Sequence, residues 1–227
     1  MIPELGPLLS PEVLGRRGEL PDEPEPVVLT GERIVLRPYE PRDAEELHAV
    51  TDGSPVERLG RKVGAYDPDE LVWRFIPVGP FADTDGLAAF QASMVARHDS
   101  LVFSAAERDT GRLLGSLSYL ANRPNDLKVE IGAIWYTPAV QGVGVNVEAC
   151  SLLIGHAFRL GYQRVEWKCH ADNQRSRAAA LRLGFTFEGI QERHQIVKDR
   201  FRDTAWFRLL APEWPRPPQP PQPQPQQ

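Results

Sequence analysis

Residues 129–160 constrain this chain more than any other stretch. A strand-like run, Val129 to Tyr136, stops at Pro138. The loop Gln141-Gly142-Val143-Gly144-Val145-Asn146 then opens directly into an amphipathic segment that reaches Leu160. A strand, a glycine loop and a helix N-terminus in that order leave several backbone N–H groups without intrahelical partners, and the helix dipole favours negative charge beside them. Gly142 and Gly144 carry no Cβ that would hold a phosphate away from those groups. The stretch reads as a pyrophosphate cradle, formed by Trp135, Tyr136, Gln141, Gly142, Val143, Gly144, Val145 and Asn146.

Three nucleotide-binding patterns compete for it. A dinucleotide fold needs Gly-x-Gly-x-x-Gly close after its first strand. Here Val147 stands at the third glycine, and the loop lies past the middle of the chain. A Walker loop fails because no Gly-Lys-Ser/Thr follows. The third pattern is Gln-x-x-Gly-x-Gly/Ala, met here by Gln141 to Asn146 with Asn146 where Gly or Ala is usual. After a further strand, Arg164 to His170, comes Asn173-Gln-Arg-Ser176-Arg177, a short helix, Leu183-Gly-Phe185 and Glu188-Gly189; Arg202-Asp-Thr-Ala-Trp206 and Glu213-Trp214-Pro215 follow. Together these runs resemble the coenzyme A-binding motifs and chain ending of the GNAT N-acetyltransferases, in their RimJ/RimL-like branch. The resemblance covers roughly Gly31 to Pro215.

That resemblance implies an α/β (α+β mixed) GNAT acyl-CoA N-acyltransferase fold. Its central sheet is mixed and mostly antiparallel, splayed at the cofactor cleft between Val129–Tyr136 and Arg164–His170, with helices on both faces. It implies acetyl-CoA as co-substrate and direct attack by an amine in a ternary complex, with no metal and no covalent enzyme intermediate. The acceptor is a protein N-terminal α-amine or a small-molecule amine. Ser176 stands where the family's serine faces the departing thiolate; read locally, it is a first-turn helix serine bonded to backbone. Asn173 caps that helix and can also hold the pantetheine amide. Arg177 either meets a phosphate or is solvated.

Glu130 is either a partly buried general base or a strand glutamate in a salt bridge. RimL-type relatives carry a glutamate base seven residues beyond the Glu-Gly glutamate, and that position here holds Gln195, which cannot ionise. Strict alternation would turn the neighbouring His194 to the opposite face. Asn146 and Gln195 keep a second class open: a non-catalytic coenzyme A-binding sensor or regulatory module on the same fold.

The remaining sequence bounds the partners. A chain of 227 residues holds one sizeable core, taken as residues 27–214, with a proline-rich arm over 1–26 and a Pro/Gln tail over 215–227. Leu5, Leu8, Leu9, Val13 and Leu14 are the apolar residues that would lay the arm on the domain. A net charge of −5 argues against nucleic acid as a partner. Two cysteines, Cys150 and Cys169, are too few for a disulfide framework or a metal site. No apolar run approaches a membrane span and the first residues lack a leader pattern, so the expected compartment is the cytoplasm, with the protein a monomer or homodimer.

Alternation places Val129, Ile131, Ala133 and Trp135 on one face of their strand and Glu130, Gly132 and Ile134 on the other. In the segment from Gly86 to His98, helical spacing gathers Leu87, Phe90, Met94 and Val95 on one face. In the helix after the loop, the apolar stripe is Ala149, Leu152, Leu153, Ala157, Phe158 and Leu160, stopped by Gly161.

Overall fold

A computed structural model of the chain describes Gly6 and residues 8–215. Its strands are β1 (Leu29–Thr30), β2 (Ile34–Pro38), β3 (Val56–Arg58), β4 (Arg61–Val63), β5 (Leu101–Glu107), β6 (Leu113–Arg123), β7 (Lys128–Tyr136), β8 (Arg164–His170), β9 (Thr186–Val197) and β10 (Arg200–Leu210). Eight of them form one sheet in the order β1-β2-β5-β6-β7-β8-β10-β9, while β3 and β4 pair as a separate hairpin. Within the sheet every neighbouring pair is antiparallel except β7 and β8. That exception follows from connectivity, because parallel strands need a long crossover and α4 (Val145–Leu160) supplies it.

A short α1 (Pro11–Gly15) lies in the arm, and longer helices cover both faces of the sheet. α4 and α5 (Gln174–Arg182) bury Ala149, Leu153, Ala157 and Ala180 with Ile131, Val165 and Phe207. On the opposite face α2 (Asp43–Ala49) and α3 (Thr84–Val95) bury Leu47 and Leu87 with Ala106, Leu113, Trp73 and Trp135. Adjacent residues divide cleanly between the two layers: Ala105 and Leu114 go to the first, Ala106 and Leu113 to the second. This is the period-two pattern of a sheet covered on both sides.

Three expectations about apolar faces need correction. Trp135 does not share a core with Ile131. A bulge between the Ser116–Trp135 and Ser118–Gly132 pairs, with Ala133 at φ +50°, reverses the sense of the strand, so Tyr136 joins Ile131 and Trp135 crosses to the other layer. On α3, Val95 is exposed and Gln91 is buried instead, donating from Nε2 to Ser116 Oγ at 3.2 Å. On α4, Leu160 lies at the open end of the stripe, while Cys150 and Ile154 are buried.

Of the apolar residues expected to lay the arm on the domain, Val13 does so among those described, and Leu20, which was not expected, joins it. Leu8, Leu9 and Leu14 are exposed, whereas Leu20 is buried and Val13 packs on the core. Burying a leucine side chain contributes roughly 1.5–3 kcal/mol. Asn122 Nδ2 donates to the carbonyls of Pro21 and Asp22, both at 3.0 Å, and holds the arm against β6. Leu5 and residues 216–227 of the tail lie outside the described residues. Among those described, no helix is long and apolar enough to cross a membrane.

Candidate active site

The parallel ladder between β7 and β8 holds only Lys128–Arg164, Val129–Val165 and Glu130–Glu166. Beyond it the strands part, so the facing edges of residues 131–136 and 167–170 have no partner across the gap. The Ala133 bulge adds to the opening, since a bulged residue is left out of its ladder on the other side as well. The cleft that results has a volume of about 880 Å³. Ile131 to Tyr136 line one wall, Trp167 to His170 the other, and Gln141, Gly142, Gly144, Asn146 and Val147 one end.

At that end the loop is held open by side chains and offers its backbone. The first intrahelical bond of α4 runs from Glu148 N–H to the Gly144 carbonyl, and no described residue accepts from the N–H groups of Gly142 through Val147. Gly142 and Gly144 adopt φ of +75° and +86°. A Cβ on Gly142 would meet nothing within 4 Å, so glycine is required there by the backbone conformation, not by crowding. Arg33 braces the loop, donating from Nη1 to the Val143 carbonyl at 2.9 Å and from Nε to Glu148 Oε2 at 3.0 Å. Burial pushes the Glu148 carboxyl up, but the backbone and guanidinium donors of Arg33, with Ile34 N–H, outweigh that and hold it below the usual carboxylate range.

Several of the expected cradle residues act through structure. Gln141 Nε2 donates to the carbonyls of Leu71 and Tyr136, and its Oε1 accepts from Arg175 Nη1 at 2.9 Å, so its side chain is fully engaged in fixing the loop. Val145 is buried in the core and Val143 packs against it, leaving only their backbone for a ligand. Trp135 and Tyr136 are buried with Nε1 and Oη unpartnered among the described residues. Asn146 lines the cleft and accepts a weak bond from Cys150 Sγ at 3.4 Å.

Along α5, Asn173 is the N-cap and accepts from Ser176 N–H at 3.0 Å. Ser176 lines the cleft, and its Oγ accepts from Trp167 Nε1 at 3.0 Å. Burial pushes the nearby Cys169 thiol up, and the Ser176 hydroxyl partly offsets that rise. Arg177 does not reach the cleft: its Nη1 donates to the Ala171 carbonyl and its guanidinium lies over Phe187. Arg175, Ala178, Ala179 and Arg182 line it instead. Their spacing of three, four and seven puts them on one helix face, with position 177 some 200° from position 175. Arg175 and Arg182 were not foreseen, and that spacing was the available signal.

The far end of the cleft is built from side chains. Glu130 is buried, and its Oε2 accepts from Lys168 Nζ at 2.6 Å; Lys168 also stands 4.1 Å from the centre of the Trp206 ring. Burial pushes the Glu130 carboxyl up, Lys168 draws it back, and the net shift is upward. Glu130 is thus salt-bridged, as one of its two sequence readings has it, and it also lines the cleft. His194 and Gln195 both line the cleft. A bulge with Arg193 at φ +50° breaks the alternation of β9 and brings His194 Nδ1 within 3.0 Å of Thr204 Oγ1, correcting the outward placement expected from period two. At the tip of the β9–β10 hairpin, Lys198 Nζ donates to Asp69 Oδ1 and to the Trp73 carbonyl, each at 2.9 Å, tying the hairpin to the opposite rim.

Known proteins share this architecture. Residues 33–186 match the family described as the acetyltransferase (GNAT) domain. Over 185 residues the chain is 30% identical to YdaF of Bacillus subtilis (strain 168), provisionally named a ribosomal N-acetyltransferase, spanning 81% of this chain and 94% of that one. It is 29% identical to the ribosomal-protein-serine acetyltransferase of Escherichia coli (strain K12), over 70% of this chain and 88% of the other. A GNAT-family crystal structure from Chromobacterium violaceum ATCC 12472 superposes with a TM-score of 0.78 at 31% identity, covering 94% of this chain and 98% of its own.

Proposed function

The chain belongs to the GNAT family and is an N-acetyltransferase acting on an amine, and on that premise we propose that acetyl-CoA binds along the splayed cleft with its pyrophosphate on the Gly142–Val147 loop. The observation that carries this reading is the run of unpaired N–H groups at the start of α4. Fixed donors at a helix N-terminus suit a pyrophosphate, and Arg175 and Arg182 add positive charge to the same lining. The gap between β7 and β8 gives a pantetheine arm unpaired strand edges on either side.

In this reading the thioester carbonyl lies near the Ala133 bulge, where backbone N–H groups stabilise the charge that develops on its oxygen; such preorganised donors are often the largest catalytic contribution. Holding amine and thioester side by side supplies much of the remainder. Glu130, facing the cleft with its pKa raised by burial, takes the ammonium proton through water. Ser176 gives a proton to the departing thiolate: its lone pair is occupied by the Trp167 indole N–H, which leaves its own O–H to donate. The acceptor is a protein N-terminal α-amine or a small-molecule amine. The ribosomal relatives favour the former.

A thermal-shift titration with acetyl-CoA, CoA and NADH side by side tests the coenzyme. A ligand that binds only the folded state raises the melting temperature by mass action. Both CoA species should raise it and NADH should not. A rise with NADH alone, or with none of the three, would overturn the assignment.

A further inference from the structure

Cations dominate the lining of the cleft. Arg74, Arg97, Lys168, Arg175, Arg182 and Arg202 face it, against Glu130 as the one carboxylate. Most of this positive charge is already accounted for. Arg175 and Arg182 lie on the cleft-facing side of α5, and Arg175 donates to Gln141 of the pyrophosphate loop. Lys168 is neutralised by Glu130 at 2.6 Å, and Arg97 pairs with Asp99 at 3.0 Å. Arg74 is exposed and is solvated by bulk water. Arg202 is different. It is only 8% exposed, forms no ion pair with any described residue, and its Nε is sealed from solvent without an acceptor. Burial pushes its pKa down, opposed only weakly by Cys169 and by a Glu130 already committed to Lys168.

A buried guanidinium without an anion is costly, and a well-packed apolar side chain would be cheaper at the same place. The position is otherwise finished. On β10, Arg202 sits across from Gln195 of β9, and Thr204 two residues on lines the same cleft with its hydroxyl on His194. Arg202 is therefore a planar donor fork in the wall of the cleft, its Nε sealed and its remaining donors without a protein acceptor among the described residues, with its matching anion missing from them. A carboxylate is the group that such a fork recognises through two parallel hydrogen bonds.

We propose that Arg202 is the receptor for a carboxylate carried by the acceptor, so that the preferred substrate is an amine with an acid group close to the reacting nitrogen. Two sources share that chemistry: the α-carboxylate of a free amino acid, and an Asp or Glu side chain near the N-terminus of a peptide. The inference rests on the acetyl-transfer reading above and narrows its substrate class.

The test is thiol release from acetyl-CoA with matched acceptors. One arm compares free L-amino acids with their carboxamides. The other compares short C-terminally amidated peptides bearing Asp or Glu at the second or third residue with the same peptides bearing Asn or Gln. In at least one arm the acid member should exceed its amide by roughly tenfold to a hundredfold in kcat/KM, the range for a hydrogen-bonded charge. Arg202→Met should erase that preference by raising KM for the acid alone, with the melting temperature unchanged or higher because an unpaired buried charge is gone. If Arg202→Met does not fold, Arg202→Lys keeps the charge, loses the fork, and should show a smaller preference of the same sign.

Acids and amides used equally would overturn the proposal. So would a preference that survives in Arg202→Met or is undiminished in Arg202→Lys, or no turnover of any acid while both CoA species still raise the melting temperature. Absence of CoA binding would remove the acetyl-transfer reading itself, and the proposal with it.

Discussion

The two ends of the cleft are made of different material. At the end proposed for the pyrophosphate the groups facing the cleft are backbone N–H donors, and the side chains of Gln141, Arg33 and Glu148 are spent on holding the loop in place. At the end proposed for the acceptor the backbone is committed to the β8–β10 and β9–β10 ladders, and the cleft meets side chains: Glu130, Lys168, His194, Thr204 and Arg202. A backbone-built site depends on φ and tolerates changes at most of its side chains. A site built from side chains can change its substrate by single substitutions without disturbing the fold. One scaffold can thus keep its coenzyme and vary its acceptor.

Substitutions can break or sharpen that contrast. The largest effect is expected from Gly144→Glu. It places a side chain at φ +86° and a carboxylate at a site of bared donors, losing two or more charge-assisted bonds at about 1.5–3 kcal/mol each. CoA affinity, read by calorimetric titration, should fall more than about a hundredfold while far-ultraviolet circular dichroism is unchanged. Undiminished binding would refute a backbone-built cradle.

The next effect belongs to the other end. Glu130→Gln should lower kcat by roughly a hundredfold, the lower range for a lost general base, and leave CoA affinity within about twofold. The pH dependence has a definite sign. A base works when ionised, so the wild-type rate falls as pH drops through the Glu130 pKa, and burial sets that limb above the ordinary carboxylate range. The same shift means that the folded state holds this proton more tightly than the unfolded one. Its contribution to stability therefore declines as pH rises from the ordinary range to the raised value. Glu130→Gln should abolish both the acid limb and that decline; an acid limb that persists would move the base to another residue, with His194 the first to examine.

The smallest effect is expected from Arg175→Ala. It removes a rim cation and the bond to Gln141 Oε1, yet leaves Gln141 held by two other bonds. CoA affinity should fall only about threefold to tenfold, and less at high salt, as for an exposed charge. A loss as large as that of Gly144→Glu would show that side chains, not backbone, carry the phosphates.

What could be read from sequence follows the same division. The alternation of the strands, the glycine loop and the capping Asn173 are local signals, and each appears where its periodicity or spacing puts it. The residues misjudged lie beyond a break in periodicity. Trp135 follows the Ala133 bulge and His194 follows the Arg193 bulge, and neither alanine nor arginine advertises a positive φ. Arg177 was named and Arg175 was not because a nine-residue helix with two arginines near its start has no apolar stripe strong enough to set its rotation. Arg202 looked like an ordinary strand residue; only its burial without a counter-ion distinguishes it, and burial belongs to the tertiary structure.

The Lys198 contact with Asp69 and Trp73 has a mechanical meaning. The β9–β10 hairpin is a long lever whose outer strand, β9, is exposed along nearly its whole length, and its tip is fastened to the facing rim by one ammonium group. Two hydrogen bonds in contact with water are worth about 1–3 kcal/mol together, a clasp within reach of thermal opening. Opening that clasp would widen the mouth of the cleft, and Lys198→Ala, which removes it, is expected to admit bulkier molecules.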